Sequence, residues 1–130
     1  VEEKNFVFDI FNSVGGAIEV EEKYMNAVTA VSGSGPAYVY LFIKHYINAA
    51  KSLGLNQNQS ERLVLSTLCG AAEMVKQGGK SIDNLIENVC SKGGTTIEGV
   101  NVLNNNGFEQ IIKDCVKAAF NRAEELSKNQ

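Results

Sequence analysis

The sequence predicts an all-α protein, a helical bundle of about five to six helices. Three observations carry that reading. Apolar residues recur three and four apart along most of the 130 residues, as they do on one face of a helix. Alternating apolar and polar runs are almost absent. The 12 glycines and the single proline fall mostly at the ends of the periodic stretches, where helices start and stop.

The first helix is expected over residues 2–14, with Phe6, Ile10 and Val14 four apart and Val7 and Phe11 beside them, ended by Gly15 and Gly16. The following "AIEV" has the composition of a short strand. A short helix over 21–31 is expected to stop at "SGSG". A long one over 36–53 starts with Pro36 in its first turn, where a missing N–H leaves nothing unpaired. Gly54 closes it, Asn56 or Asn58 caps the next, and that helix runs to Gln77 before Gly78 and Gly79. Within it Gly70, Ala71 and Ala72 leave a thin face that a neighbouring helix can approach closely. Ser81 caps a short helix carrying Ile82, Leu85, Ile86 and Val89. Ile97, Val100 and Leu103 mark another, closed by "NNNG". The last spans about 108–127 with Ile111, Ile112, Cys115, Ala118, Ala119 and Ala123 facing inward.

Several of these helices are apolar over most of their circumference. Such a helix needs cover nearly all round, and 130 residues offer little of it, so a second subunit is expected to supply the remainder.

Composition removes several function classes. Hydrophobic residues make up 44% and charged ones 21%, a globular balance large enough for a core without disulfides. The net charge of -3 and the lack of a basic stripe argue against nucleic acid. The longest apolar run, "YVYLFI", is far too short to span a membrane. Cys69, Cys90 and Cys115 form no CxxC, and no nearby histidine completes a metal spacing, so no metal site is expected and the thiols are read as reduced, mostly buried and cytosolic. The lone His45 follows Lys44 in a helical pattern and is read as a surface or half-buried residue, with no triad to join. The chain starts without methionine and with an acidic segment unlike a signal peptide, as if partway through a longer protein.

Two stretches carry candidate chemistry. "SGSGPAY", residues 32–38, leads two serines and two glycines into a helix start, a place that suits an anion. It lacks the lysine of a P-loop, and the strand and third glycine of a dinucleotide fingerprint, so a tight turn is the plainer reading. "CSKGGTTIEG", residues 90–99, has more donors than a turn needs. Gly93 and Gly94 allow a sharp turn and close approach of a ligand. The N–H groups of Gly94, Thr95 and Thr96 would converge as a small anion nest that suits a carboxylate, with the Ser91 and Thr96 hydroxyls adding donors or acceptors. The competing reading is a capping turn, with Ser91 or Thr95 as N-cap and Glu98 closing a capping box.

Together "AVTAVSGSGPAYVYLFI" and "VCSKGGTTIEGVNVL" resemble the C-terminal domain of pyrroline-5-carboxylate reductase. The family signature is matched in spacing by Leu85, Val89, Cys90, Ser91, Lys92, Gly93, Gly94, Thr95, Thr96 and Gly99, and "LCGAAEMV" is similar to the family's small-residue helix. Lys92 stands where many members have proline, and Ser81 or Ile82 where a proline usually starts the short helix. The resemblance covers about residues 20–126. It implies that residues 1–20 are the end of an N-terminal dinucleotide-binding (Rossmann) domain and its linker, the rest of that domain being absent, and that residues 21–130 are a dimerisation and substrate-binding domain.

The resemblance further implies a cytoplasmic oxidoreductase of proline biosynthesis that reduces 1-pyrroline-5-carboxylate with NADPH or NADH, the cofactor being bound mainly by the missing domain. Ser91, Gly93, Gly94, Thr95 and Thr96 would hold the substrate carboxylate, and Thr96 would act as the catalytic hydroxyl on the ring nitrogen. Ser34, Gly35 and Pro36 would face the cofactor or form a hinge. The partner would be a second copy, interleaved in a homodimer or a larger homo-oligomer, with no nucleic acid and no membrane. On this reading the chain alone has no reductase activity. A pure dimerisation module and a related imine or 3-hydroxyacid dehydrogenase remain as alternatives.

Overall fold

The computed structural model describes residues 2–128, all of its regular structure being helical. The α-helices are α1 (Glu2–Val14), α2 (Met25–Val28), α3 (Gly35–Ser52), α4 (Gln57–Gln77), α5 (Ile82–Val89), α6 (Thr95–Asn105) and α7 (Phe108–Lys128). Apart from the single turn of α2, six are long enough to count as bundle helices. Residues 17–20, which the composition suggested as a strand, are irregular. A strand needs a second extended segment for its N–H and C=O groups, and among the described residues there is none.

The segment before α3 differs from expectation. A 3-10 turn (Glu22–Tyr24) leads into α2, which widens into a π-turn (Thr29–Gly33), and only Ser34 separates this from α3. The winding therefore runs through the first half of "SGSG" instead of stopping there. The Ser34 N–H reaches the Thr29 carbonyl at 2.8 Å, one residue further back than in an α-helix, and the Thr29 hydroxyl donates to the Met25 carbonyl at 3.0 Å. The wider turn delivers Pro36 into the first turn of α3, where it breaks no ladder bond.

Helices α3 and α4 pack together, joined by a tight loop in which Gly54 adopts φ +98°. Asn56, the nearer of the two predicted caps, closes a full capping box. Its side chain accepts from the Gln59 N–H at 2.9 Å, and the Gln59 side chain accepts from the Asn56 N–H at 3.1 Å. One turn on, Ser60 is fully buried and satisfied by the Asn56 carbonyl at 2.9 Å, with Val64 buried beneath it. Replacing Asn56 with alanine is expected to lower the unfolding free energy by about 1 kcal/mol, as read from chemical denaturation, because the Gln59 N–H loses its side-chain acceptor while the backbone N–H of residue 56 keeps its own.

The second packing centre joins the ends of the chain. Helix α7 lies across α2 and the π-turn, burying Ala30 and Ala123, while α6 packs on α7 through the short loop at Gly107. Ser127 Oγ sits 2.9 Å from the Asn26 side-chain amide, across a separation of 101 residues. Glu109 opens α7, and Lys113 one turn on hydrogen-bonds its carboxyl and holds it below the usual carboxylate range; the pair is solvent-exposed and adds little. Ser81 caps α5 as predicted, accepting from the Asn84 N–H at 3.2 Å.

The core is small. Among the described apolar residues only Ala30, Val64 and Ala123 are buried, while Phe6, Phe11, Tyr40, Leu41, Leu63, Leu65 and Ile111 are among many that stand exposed. The chain exposes 10607 Å². A folded monomer of 14.1 kDa exposes about 6,700 Å². The excess of about 3,900 Å² on this one chain exceeds one partner's share of most permanent interfaces, roughly 1,000–2,500 Å². The cysteines follow the same pattern: Cys69 is exposed and Cys90 and Cys115 are half-buried, where mostly buried thiols were expected. Their cover is missing because the chain buries so little of itself.

Candidate functional site

The loop at residues 90–94 is built by three backbone choices. Cys90 ends α5 in an extended conformation, its N–H shared between the Ile86 and Glu87 carbonyls at 3.1 Å each. Gly93 adopts φ +71°, the left-handed region that costs a side chain about 1–2 kcal/mol. Gly94 returns to an extended conformation and its N–H donates to the Ser91 carbonyl at 2.9 Å, closing a turn over residues 91–94.

That turn bears on the capping reading of the junction. Gly94 is the N-cap of α6, and no side chain caps the helix. Neither Ser91 nor Thr95 takes that place, and Glu98 closes no box. Gly94 itself is engaged with Ser91, so its N–H is not a free donor as the sequence suggested. Thr95, Thr96 and Ile97 instead form the first turn of α6, whose N–H groups have no intrahelical acceptor and meet no side-chain cap. Ile97 is the donor the sequence reading missed; only the position of the helix start identifies it.

Ser91 is placed by Gly94 as much as by its own backbone. A methyl group at position 94 would collide with Ser91 Oγ and lie 3.1 Å from the Ser91 carbonyl oxygen. The absence of a Cβ at Gly94 thus lets the Ser91 hydroxyl fold over the helix start. Ser91 and Thr95 are exposed and Thr96 is half-buried.

Thr96 also lines an open apolar groove of about 460 Å³ between α4, α5 and α6. Met74, Val75, Ile86, Val89, Cys90 and Val100 form much of its wall, and Lys80 is its only charged lining residue among the described residues. Thr96 is the one predicted site residue that joins the loop to this groove. Ser34, Gly35 and Pro36 are not part of it. At the start of α3 the Ser34 N–H is spent on Thr29, Pro36 has none, and the Ala37 N–H donates to the Ser34 carbonyl at 3.1 Å, so this helix start offers an anion little. His45 is exposed on α3. Among the described residues no three histidine, cysteine or acidic side chains gather as a metal site, and no helix is long and apolar enough to cross a membrane.

Comparison with known proteins places this geometry. Residues 22–126 match the family described as pyrroline-5-carboxylate reductase dimerisation. The pyrroline-5-carboxylate reductase of Staphylococcus haemolyticus is 41% identical over 127 residues, covering 98% of this chain and 47% of that protein. The solved structure of Plasmodium falciparum pyrroline carboxylate reductase with NADP bound is 42% identical with a TM-score of 0.89, covering 95% of this chain and 50% of that one. That of a Coxiella burnetii pyrroline-5-carboxylate reductase is 36% identical with a TM-score of 0.91, covering 96% and 47%. The chain spans about half the length of the curated relatives it matches. With most of its length matched by that family model and its helical fold shared with the solved structures, the chain belongs to the pyrroline-5-carboxylate reductases, and residues 22–126 are their dimerisation domain.

Proposed function

We propose that this chain is the C-terminal part of a cytoplasmic enzyme that reduces the ring C=N of 1-pyrroline-5-carboxylate to L-proline, the last step of proline biosynthesis. The observation that carries the reading is the uncapped start of α6, with Ser91 folded over it and Thr96 half-buried at the groove. The substrate is a small anion with one imine. Its carboxylate fits the free N–H groups of Thr95, Thr96 and Ile97 and the Ser91 hydroxyl, with Gly93 and Gly94 shaping the turn. Charge-assisted hydrogen bonds of this kind contribute roughly 1.5–3 kcal/mol each, enough for a modest affinity without a paired cation. The Thr96 hydroxyl then lies beside the ring nitrogen, which gains a proton as the imine carbon gains hydride.

The hydride comes from NADPH or NADH. Among the described residues no strand leads into a glycine-rich turn and helix, and the cofactor is assigned mainly to the other half of the protein. Residues 1–20 are read as the end of that half and its linker, in keeping with the exposed Phe6, Ile10 and Phe11 of α1. Ser34, Gly35 and Pro36, at the narrow junction before α3, are assigned to the cofactor side or to a hinge between halves. Residues 21–130 form the helical homodimer, interleaved so that each chain covers the other's apolar faces.

The full-length protein is expected to turn over 1-pyrroline-5-carboxylate with NADPH or NADH, and residues 1–130 alone to show no turnover. Reductase activity in the isolated chain, or none in the full-length protein, overturns the reading. A substrate panel of other cyclic imines and 3-hydroxyacids separates it from a related dehydrogenase.

A further inference from the structure

Lys92 lies in the loop and Lys80 lines the groove that Thr96 shares with it, and neither side chain joins the loop's hydrogen bonding. Lys92 is exposed between Ser91 and Gly93, and Lys80 lines the groove that Thr96 faces. Neither has an ion-pair or hydrogen-bond partner among the described residues. The protein as a whole is acidic, with a net charge of -3. The groove nonetheless has no acidic lining residue. The nearest opposing charge on the helix is Glu98, exposed in the first turn of α6, where it repels an incoming anion.

We infer that Lys80 and Lys92 are electrostatic specificity residues, which offset Glu98 and draw carboxylated imines to the start of α6 in preference to neutral ones. This deepens the proposed function and rests on it. Two unpaired cations beside an apolar wall raise the local concentration of an anion and its rate of arrival, without touching it in the bound state. The effect belongs to this chain's own residues: α6 itself binds through neutral donors, and the charges act at a distance. It therefore has a distinct signature in salt. Screening reaches roughly 30 Å at 0.01 M ionic strength and roughly 3 Å at 1 M, so steering is strong at the first and gone at the second.

The test compares the full-length enzyme with its K80Q/K92Q variant on 1-pyrroline-5-carboxylate and on 1-pyrroline, which lacks the carboxylate. At about 0.01 M ionic strength the variant's KM for the carboxylated substrate is expected to rise about fivefold with kcat unchanged. At about 1 M salt it should equal the parent's, and kinetics with 1-pyrroline should not move at either salt. Should the double variant fail to fold, Lys92→Gln alone, on an exposed loop, is expected to show a smaller shift of the same form. An unchanged KM at low salt, a shift that persists at high salt, or an equal shift with 1-pyrroline overturns the inference while leaving the reductase reading standing. A parent enzyme that does not reduce 1-pyrroline-5-carboxylate overturns both.

Discussion

Replacing Thr96 with alanine in the full-length reductase is expected to lower kcat/KM for 1-pyrroline-5-carboxylate about 100-fold or more. The hydroxyl is assigned a hydrogen bond to a nitrogen that becomes charged during the reaction. Such a bond contributes roughly 1.5–3 kcal/mol, and aid to a proton in flight typically contributes 10²–10⁴-fold. The loss should fall mainly on kcat, since the backbone donors of Thr95, Thr96 and Ile97 survive the substitution and go on holding the carboxylate. Thr96→Ser keeps the oxygen and should stay within severalfold of the parent. Thr96→Val keeps the shape, removes the hydroxyl and should behave like alanine. The helix should be unharmed in all three, because no side chain caps α6. A Thr96→Ala enzyme with parental turnover would leave the domain as a dimerisation module only, its loop a turn.

The second large effect concerns assembly. The chain is expected to sediment as a dimer or larger at micromolar concentration, and its folded state to disappear on dilution without passing through a stable monomer. The physical reason is the balance of surface: 10607 Å² exposed where a monomer of this mass exposes about 6,700 Å², with Ala30, Val64 and Ala123 the only apolar residues buried among the described ones. For such a chain folding and association are one equilibrium, so the thermal midpoint rises with protein concentration. Each tenfold dilution should remove about 1.4 kcal/mol of stability per dimer, read from unfolding curves at several concentrations. A folded monomer with a concentration-independent midpoint would mean that the exposed apolar faces need no second copy.

Local chemistry made much of this fold legible. The Asn56 box, the Ser81 cap and the glycines after α4 act within four residues of themselves, so the ends of α4 and the start of α5 could be read from residue types alone. The loop at 91–96 was proposed as a site because its glycines and hydroxyls exceed what a turn requires. Where several residues competed for one local role, the sequence could not choose. Ser91 and Thr95 stand within five positions of one another, and the sequence reading put the cap on one or the other. The turn closed by the Gly94 N–H on the Ser91 carbonyl settled the cap on the residue with no side chain at all.

By itself, then, the sequence determined that the chain is helical and where most helices begin and end, because each depends on neighbours along the chain. The tertiary structure alone decided that residues 29–33 wind on as a π-turn with Ala30 under α7, that residues 17–20 find no partner strand among the described residues, that Lys80 is the single charge among the described residues lining the groove of Thr96, and that Cys69 stands exposed. Each of these depends on a contact, or its absence, between residues far apart in the chain, and periodicity carries no record of which faces meet.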